Sequence, residues 1–233
     1  MDQAHVEPPT NGTSQQRSLH PEDEEPRWPA AVTLISLGAI YAVLPSGLLF
    51  GGHWWVLLTV IGVLLIPTIL AHHLGNHFIN ELLGTILNAI VTVAMIWSLA
   101  RLIEALPEHL IEPKALLLSA AVLWIGNILI FASWYWRLDA GGPNNRDLRP
   151  YHTDGAFLFP QMTMSPELKA AAHEESWSPN FVDYLFLAFN TSTAFSPTDT
   201  PPLSRWAKGL MIVQASISLS VIAILAGRAV NIL

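Results

Sequence analysis

The sequence predicts an all-α, polytopic membrane helix bundle of about five transmembrane helices plus one short re-entrant, pore-helix-like segment. Three observations carry that expectation. The 233 residues are 52% hydrophobic and only 12% charged, with a mean hydropathy of +0.41, whereas a soluble domain carries about 25% charge. The charges are also segregated: between Arg27 and Arg101 there is one, Glu81. Five uncharged windows, finally, each approach the roughly 20 apolar residues needed to cross a hydrocarbon layer. These features exclude an ordinary soluble globule, a disordered chain and a nucleic-acid binder, which needs a basic surface. The absence of cysteine excludes a disulfide scaffold and iron–sulfur or haem-thiolate ligation.

Residues 1–29 read as a disordered acidic tail. Asp2, Glu7, Glu22, Asp23, Glu24 and Glu25 stand against Arg17 and Arg27, without any apolar period. No basic start precedes an apolar stretch, so the first membrane helix is expected to serve as its own uncleaved insertion signal. Residues 30–114 read as a three-helix membrane region. Its windows are 30–50, interrupted by Pro45 and Gly47; 54–71, with Pro67 near its end; and 82–100. Residues 115–233 form the second region, with windows at 115–136 and 209–227 separated by a polar loop, 137–180, and a further segment, 181–199. The apolar run 181–189 is too short to cross and reads as a re-entrant helix, with Ser178 and Pro179 supplying its start. Another short helix, capped by Ser165-Pro166, is expected to run from Glu167 to Glu175. Trp28, Trp54, Trp55, Trp97, Trp134, Trp136 and Trp206 lie near window ends, as an interfacial belt requires, while Trp124 falls mid-window.

Lysine and arginine counts set the expected orientation. With five spans, Arg17, Arg27, Arg137, Arg146, Arg149, Lys169, Arg205 and Lys208 share one side, and Arg101, Lys114 and Arg228 the other. Eight against three places the N-terminus and the 137–208 region in the cytoplasm.

The segment from Phe181 to Asp199 combines an apolar helix, a hydroxyl-rich turn and an acid, and is followed by a full span. This order resembles the pore module of tetrameric cation channels. Against the potassium-channel filter pattern Thr-x-Thr-Thr-Val-Gly-Tyr-Gly-Asp, Thr191, Thr193 and Asp199 match without a gap, while Ser196 and Thr198 replace the two glycines. The resemblance makes 115–136 an outer helix, 181–199 a pore helix and turn, and 209–227 an inner helix. It implies Thr191, Ser192, Thr193, Ser196, Thr198 and Asp199 as pore-lining residues, a monovalent cation as the permeant species, and a homo-oligomer. Pro197 and the lost glycines disfavour a cage of backbone carbonyls, leaving side chains to line the route.

The C-terminal half of the chain also resembles a bacterial family of uncharacterised inner-membrane proteins, a domain of unknown function. The resemblance rests on Asp183-Tyr184-Leu185-Phe186-Leu187-Ala188-Phe189, Ala194-Phe195-Ser196-Pro197-Thr198-Asp199, Ser204-Arg205 and Asn231-Ile232-Leu233. It implies a bacterial inner (plasma) membrane location and brings no activity with it. Beside permeation stand two other readings of the sequence. Residues 181–199 can simply brace the bundle, and the protein can be a non-transporting scaffold or accessory subunit that binds a partner through residues 137–180.

Two further constellations are candidates. His73, His77 and Glu81 fall at i, i+4 and i+8 and would share a face of a continuous helix, a spacing usable for a metal; interfacial histidines facing water are the plain alternative. Glu81, Thr85, Asn88 and Thr92 form a polar stripe that either lines a cavity or bonds a neighbouring helix. In the last window Gln214 and Ser218 share one face, while Ser216 and Ser220 lie roughly opposite. No nucleotide-binding loop, zinc-protease string or nucleophile elbow occurs. No catalytic residues, cofactor or nucleic-acid partner are therefore assigned, and the lipid bilayer is the expected surrounding.

Overall fold

The computed structural model describes Glu25, residues 27–108 and 112–149, His152, and residues 154–174, 177–195 and 199–232. Among these the fold is helical, with one isolated bridge between Phe157 and Pro202 in place of any strand. Four helices are long and apolar enough to cross a membrane: Trp54–His73, His77–Leu106, Pro113–Gly141 and Arg205–Gly227.

The first apolar window does not form one continuous helix. Helix α1 covers Trp28–Tyr41, 14 residues or about 21 Å at 1.5 Å per residue. Pro45 is extended (φ −53°, ψ 144°) and a 3₁₀ turn, Ser46–Leu48, follows. Proline removes an N–H and blocks continuation, so 42–53 is irregular, and its backbone groups need partners from elsewhere in the protein. The Tyr41 hydroxyl supplies one. It accepts from Phe50 N at 3.2 Å and lies 2.5 Å from Ser98 Oγ, which donates to Leu48 O at 2.7 Å.

Helices α2 (Trp54–His73) and α3 (His77–Glu108) form an antiparallel hairpin. Its turn depends on Gly75 at φ +70°, a left-handed value that favours glycine, and Asn76 Oδ1 accepts from Ile79 N to cap α3. Helix α4 (Pro113–Leu138) is the central element. It packs against α1, α3 and two later helices, and 61% of its most apolar stretch is buried, against 28% for α2.

After α4 the chain turns through Ala140, Gly141 and Gly142, all at positive φ, into the short α5 (Pro143–Asp147). Helix α6 (Pro166–Ala172) is capped by Ser165 as the sequence indicates, but it stops at His173 in the left-handed conformation, short of Glu175. Helix α7 covers Phe181–Ala194 and α8 Arg205–Ile232. Asn180 rather than Ser178 caps α7: Asn180 Oδ1 accepts from Val182 N and Asp183 Oδ2 accepts from Asn180 N, each at 2.8 Å, a reciprocal box that outcompetes a single serine cap.

The hydroxyl residues expected in a turn lie in the last turns of α7 instead. Thr191 Oγ1 and Thr193 Oγ1 donate to Leu187 O and Phe189 O, four residues back, at 2.8 and 2.9 Å. They are thus satisfied without leaving the helix. Helix α7 packs on α4 and α8. Beyond it, Leu158 N donates to Pro201 O and Leu203 N to Ala156 O, at 3.0 and 2.7 Å, tying the α7–α8 linker to the 137–180 loop.

Candidate functional site

Two polar clusters hold the α4–α7–α8 half together. The first lies along the helices. Gln214 of α8 is fully buried; its Nε2 donates to Ala188 O (2.7 Å) and Ser192 Oγ (2.8 Å), and its Oε1 accepts from the Tyr135 hydroxyl (2.5 Å). Asn127 Nδ2 of α4 donates to Gln214 O at 3.1 Å and Ser192 Oγ at 3.4 Å. Ser218 Oγ donates to Ser192 O at 2.6 Å and accepts from Trp124 Nε1 at 3.0 Å. Ser192 is thus the node joining three helices, and Trp124, mid-window in the sequence, packs here through its indole N–H.

The second cluster sits where α4 ends and α7 begins. Asp139, fully buried, accepts from Ala156 N at 2.5 Å and from the Tyr184 hydroxyl at 2.7 Å. Arg146, also buried, donates to Trp136 O and Asp139 O at 2.8 and 3.0 Å and pairs with Glu25 Oε2 at 2.8 Å. Its guanidinium lies 5.1 Å from the Tyr184 ring centroid. Glu25 Oε1 accepts from Trp136 Nε1, and Arg27 pairs with Asp147 and donates to Asn144 Oδ1. Burial holds the His152 imidazole below its ordinary pKa, with the Asp139 carboxylate 3.7 Å away opposing that shift. Gly155 is packed so closely that a Cβ there would meet Asp139 Oδ1 and His152 Nε2 at 2.8 Å.

The expected pore-lining set divides. Thr191 and Ser192 are buried inside the chain and bonded, so they brace helices in this arrangement. Thr193 and Asp199 are exposed; Ser196 and Thr198 lie outside the described residues. The last helix resolves its two polar faces: Gln214 and Ser218 point inward, whereas Ser216 and Ser220 bond only to carbonyls of their own helix.

The metal expectation loses its premise. His73 ends α2, His77 begins α3 and Gly75 turns the chain between them, so the two imidazoles and Glu81 share no continuous helical face. Among the described residues no group of three His, Cys, Asp or Glu is placed to hold a metal ion. The polar stripe is used in packing: Thr92 Oγ1 accepts from Trp134 Nε1 of α4 at 2.9 Å, and Glu81 Oε1 accepts from Asn144 Nδ2 at 3.4 Å. Thr85 Oγ1 donates to Glu81 O at 2.7 Å, and Asn88 is buried.

Sequence reasoning passed over Asp139, Arg146, His152, Tyr184, Asn127 and Tyr135. The run of glycines at 141–142 beside so many charges was the available signal, but partners 45 residues apart, such as Asp139 and Tyr184, leave no spacing pattern. Also unforeseen is a cavity of about 520 Å³ among α1, α2, α3 and the end of α4, with Arg137 at its polar end and Leu34, Leu65 and Leu87 along its apolar part. Comparison with protein-family models, curated proteins and solved structures finds no match, so the resemblances of residues 181–199 rest on their motifs.

Proposed function

We propose that this is an integral membrane protein whose α4–α7–α8 half is a pore-loop-like module, passing small monovalent cations along the axis of a homo-oligomer. The observation that carries the reading is the path of the chain around α7. Its first turn meets the C-terminal end of α4, where Tyr184 bonds Asp139. Its last turn meets Asn127 of α4, and Gln214 and Ser218 of α8, well along both helices. Residues 201–203 are then back beside 156–158, next to Asp139. A 14-residue helix covers about 21 Å, less than the roughly 30 Å of a hydrocarbon core. A segment that enters, stops and returns on its own side is the re-entrant geometry used by selectivity loops. On this reading the membrane part comprises the four long helices, the shorter α1 and the re-entrant α7.

Roles within the module differ from those the motif alone implies. Thr191 and Ser192 set the position of α7. Thr193 and Asp199 remain as lining groups, with Asp199 concentrating cations at the mouth. Helix α8 is the least enclosed of the four long helices, with 22% of its most apolar stretch buried, which suits a helix completed by its own copies around a symmetry axis. Its outward Ser216 and Ser220 are then available to that axis.

Purified protein in liposomes is expected to carry potassium or sodium flux, and Asp199→Asn to lower it several-fold while leaving the oligomer intact. Absence of flux for both ions, or a strictly monomeric protein, contradicts the reading. The alternative of an accessory subunit has one observation in its favour: Leu148 and Leu168, beside α5 and in α6, are 73% and 58% exposed. A partner that co-purifies with the intact chain and is lost with residues 160–174, together with zero flux, would favour it.

A further inference from the structure

We infer that the cavity among α1, α2, α3 and α4 is a binding site for an acidic phospholipid, with the lipid phosphate on Arg137 and an acyl chain along Leu34, Leu65 and Leu87. The inference starts from Arg137. Its guanidinium lies flat on the backbone of α3 at Gly84, in the space a Cβ there would occupy, and 5.6 Å from the Trp136 ring centroid. Among the described residues it makes no hydrogen bond and no ion pair within 4 Å, and its Nε is shut off from solvent. The residue as a whole is half-buried and its Nη atoms are less enclosed than Nε; a partly desolvated guanidinium favours an anion beside it. The nearest acid in its field, Glu81, accepts from Asn144 instead.

The other charges lining the cavity are occupied. Both Glu25 carboxylate oxygens are taken, by Trp136 and Arg146, and Arg27 is paired with Asp147. Among the described residues Arg137 is therefore the arginine of the cavity wall with no ion pair, and Glu81 acts on it only through its field. A planar guanidinium suits a phosphate through two parallel N–H donors. Thr68, His72, His73 and Asn80 also line the wall, but the remainder, including Leu34, Leu65 and Leu87, is apolar, and the volume of about 520 Å³ is in the range of small-molecule sites. A free anion would leave that apolar surface unused, whereas a phospholipid covers it and gains the hydrophobic contribution. The location fits as well: the cavity is lined by the starts of α1 and α3 and the ends of α2 and α4, with Arg27 and Arg137 among the lining residues, and basic pockets between membrane helices hold anionic headgroups. A small residue at 84 is part of the design, because any side chain there displaces the guanidinium.

The test uses delipidated full-length protein in detergent, titrated with short-chain phosphatidylglycerol, with phosphatidylcholine of the same chains, and with inorganic phosphate, reading tryptophan fluorescence (Trp28 and Trp136 line the cavity) and native mass spectra. Both lipids carry the phosphate, but the choline ammonium of phosphatidylcholine offsets its charge, so phosphatidylglycerol is expected to bind about tenfold tighter, or about 1.4 kcal/mol. R137Q is expected to erase that preference, and R137K to keep part of it. Leu65→Trp, which fills the apolar part without touching the charge, is expected to weaken both lipids. Equal binding of the two lipids, unchanged preference in R137Q, undiminished binding in Leu65→Trp, or saturation by inorganic phosphate alone would each overturn the assignment. Because Leu65→Trp reports independently, a variant of Arg137 that fails to fold leaves the site testable.

Discussion

Replacing Arg146 with methionine is expected to cost about 3–5 kcal/mol of stability, the scale measured when one member of a buried ion pair is removed and its partner is left behind. Arg146 is the shared counter-charge of the end cluster: it pairs with Glu25 and bonds the carbonyls of Trp136 and Asp139. Methionine preserves much of the volume, so the loss reports charge and hydrogen bonding rather than a hole. Without it, the carboxylate of Asp139 stays buried with only neutral donors, Tyr184 and Ala156, and the carbonyls of Trp136 and Asp139 lose their donor. The matched control is Arg149→Gln. Its pair with Asp154 is solvent-exposed, and such pairs contribute about 0–1 kcal/mol. Thermal unfolding in detergent, followed by tryptophan fluorescence, separates the two. A loss for Arg146→Met no larger than the control would mean that the cluster is solvated and does not anchor the loop.

Gln214→Leu is the second large effect, and it acts along the helices rather than at their ends. Gln214 makes three side-chain hydrogen bonds, to Tyr135, Ala188 and Ser192. Side-chain bonds between membrane helices are worth about 0.6–1.7 kcal/mol each, so about 2–5 kcal/mol is expected, with the buried Tyr135 hydroxyl left without its acceptor. The effect should be local before it is global. Hydrogen exchange in the second half of α7 should accelerate while that of α2 stays unchanged, since opening begins where partners were lost. If exchange rises uniformly or not at all, Gln214 does not set the position of α7.

How much of this could be read from residues alone depended on whether an element answers to local rules. The windows within α2, α4 and α8 were legible because twenty apolar residues specify a helix whatever surrounds them. The start of α6 was legible from Ser165-Pro166. Window 30–50 misled because composition counts apolar residues, while Pro45 acts through a backbone angle and a missing N–H. The cap of α7 was misplaced by two residues, because a reciprocal box between Asn180 and Asp183 outweighs a serine–proline pair. Thr191 and Ser192 looked like lining groups on a motif; their burial depends on α4 and α8 presenting Asn127, Gln214 and Ser218 to the same face. The end cluster and the cavity were illegible for a related reason. Asp139 with Arg146, Glu25 and Tyr184 converge from three separate stretches, and Arg137, which read only as one more basic residue in the orientation count, becomes distinctive once α3 places Gly84 beneath it.

The re-entrant path of α7 is the claim on which the functional reading stands, and the absence of native cysteine makes it directly measurable. Single cysteines at Lys169, before α7, at Leu203, after it, and at Lys114, in the first turn of α4, can be labelled in sealed vesicles of known sidedness with a membrane-impermeant maleimide. Leu203 and Lys114 are exposed and Lys169 is partly exposed. The account predicts that Lys169→Cys and Leu203→Cys react from one face and Lys114→Cys from the other. Labelling of Lys169→Cys and Leu203→Cys from opposite faces would mean that the chain crosses between them, and would contradict the pore-loop reading.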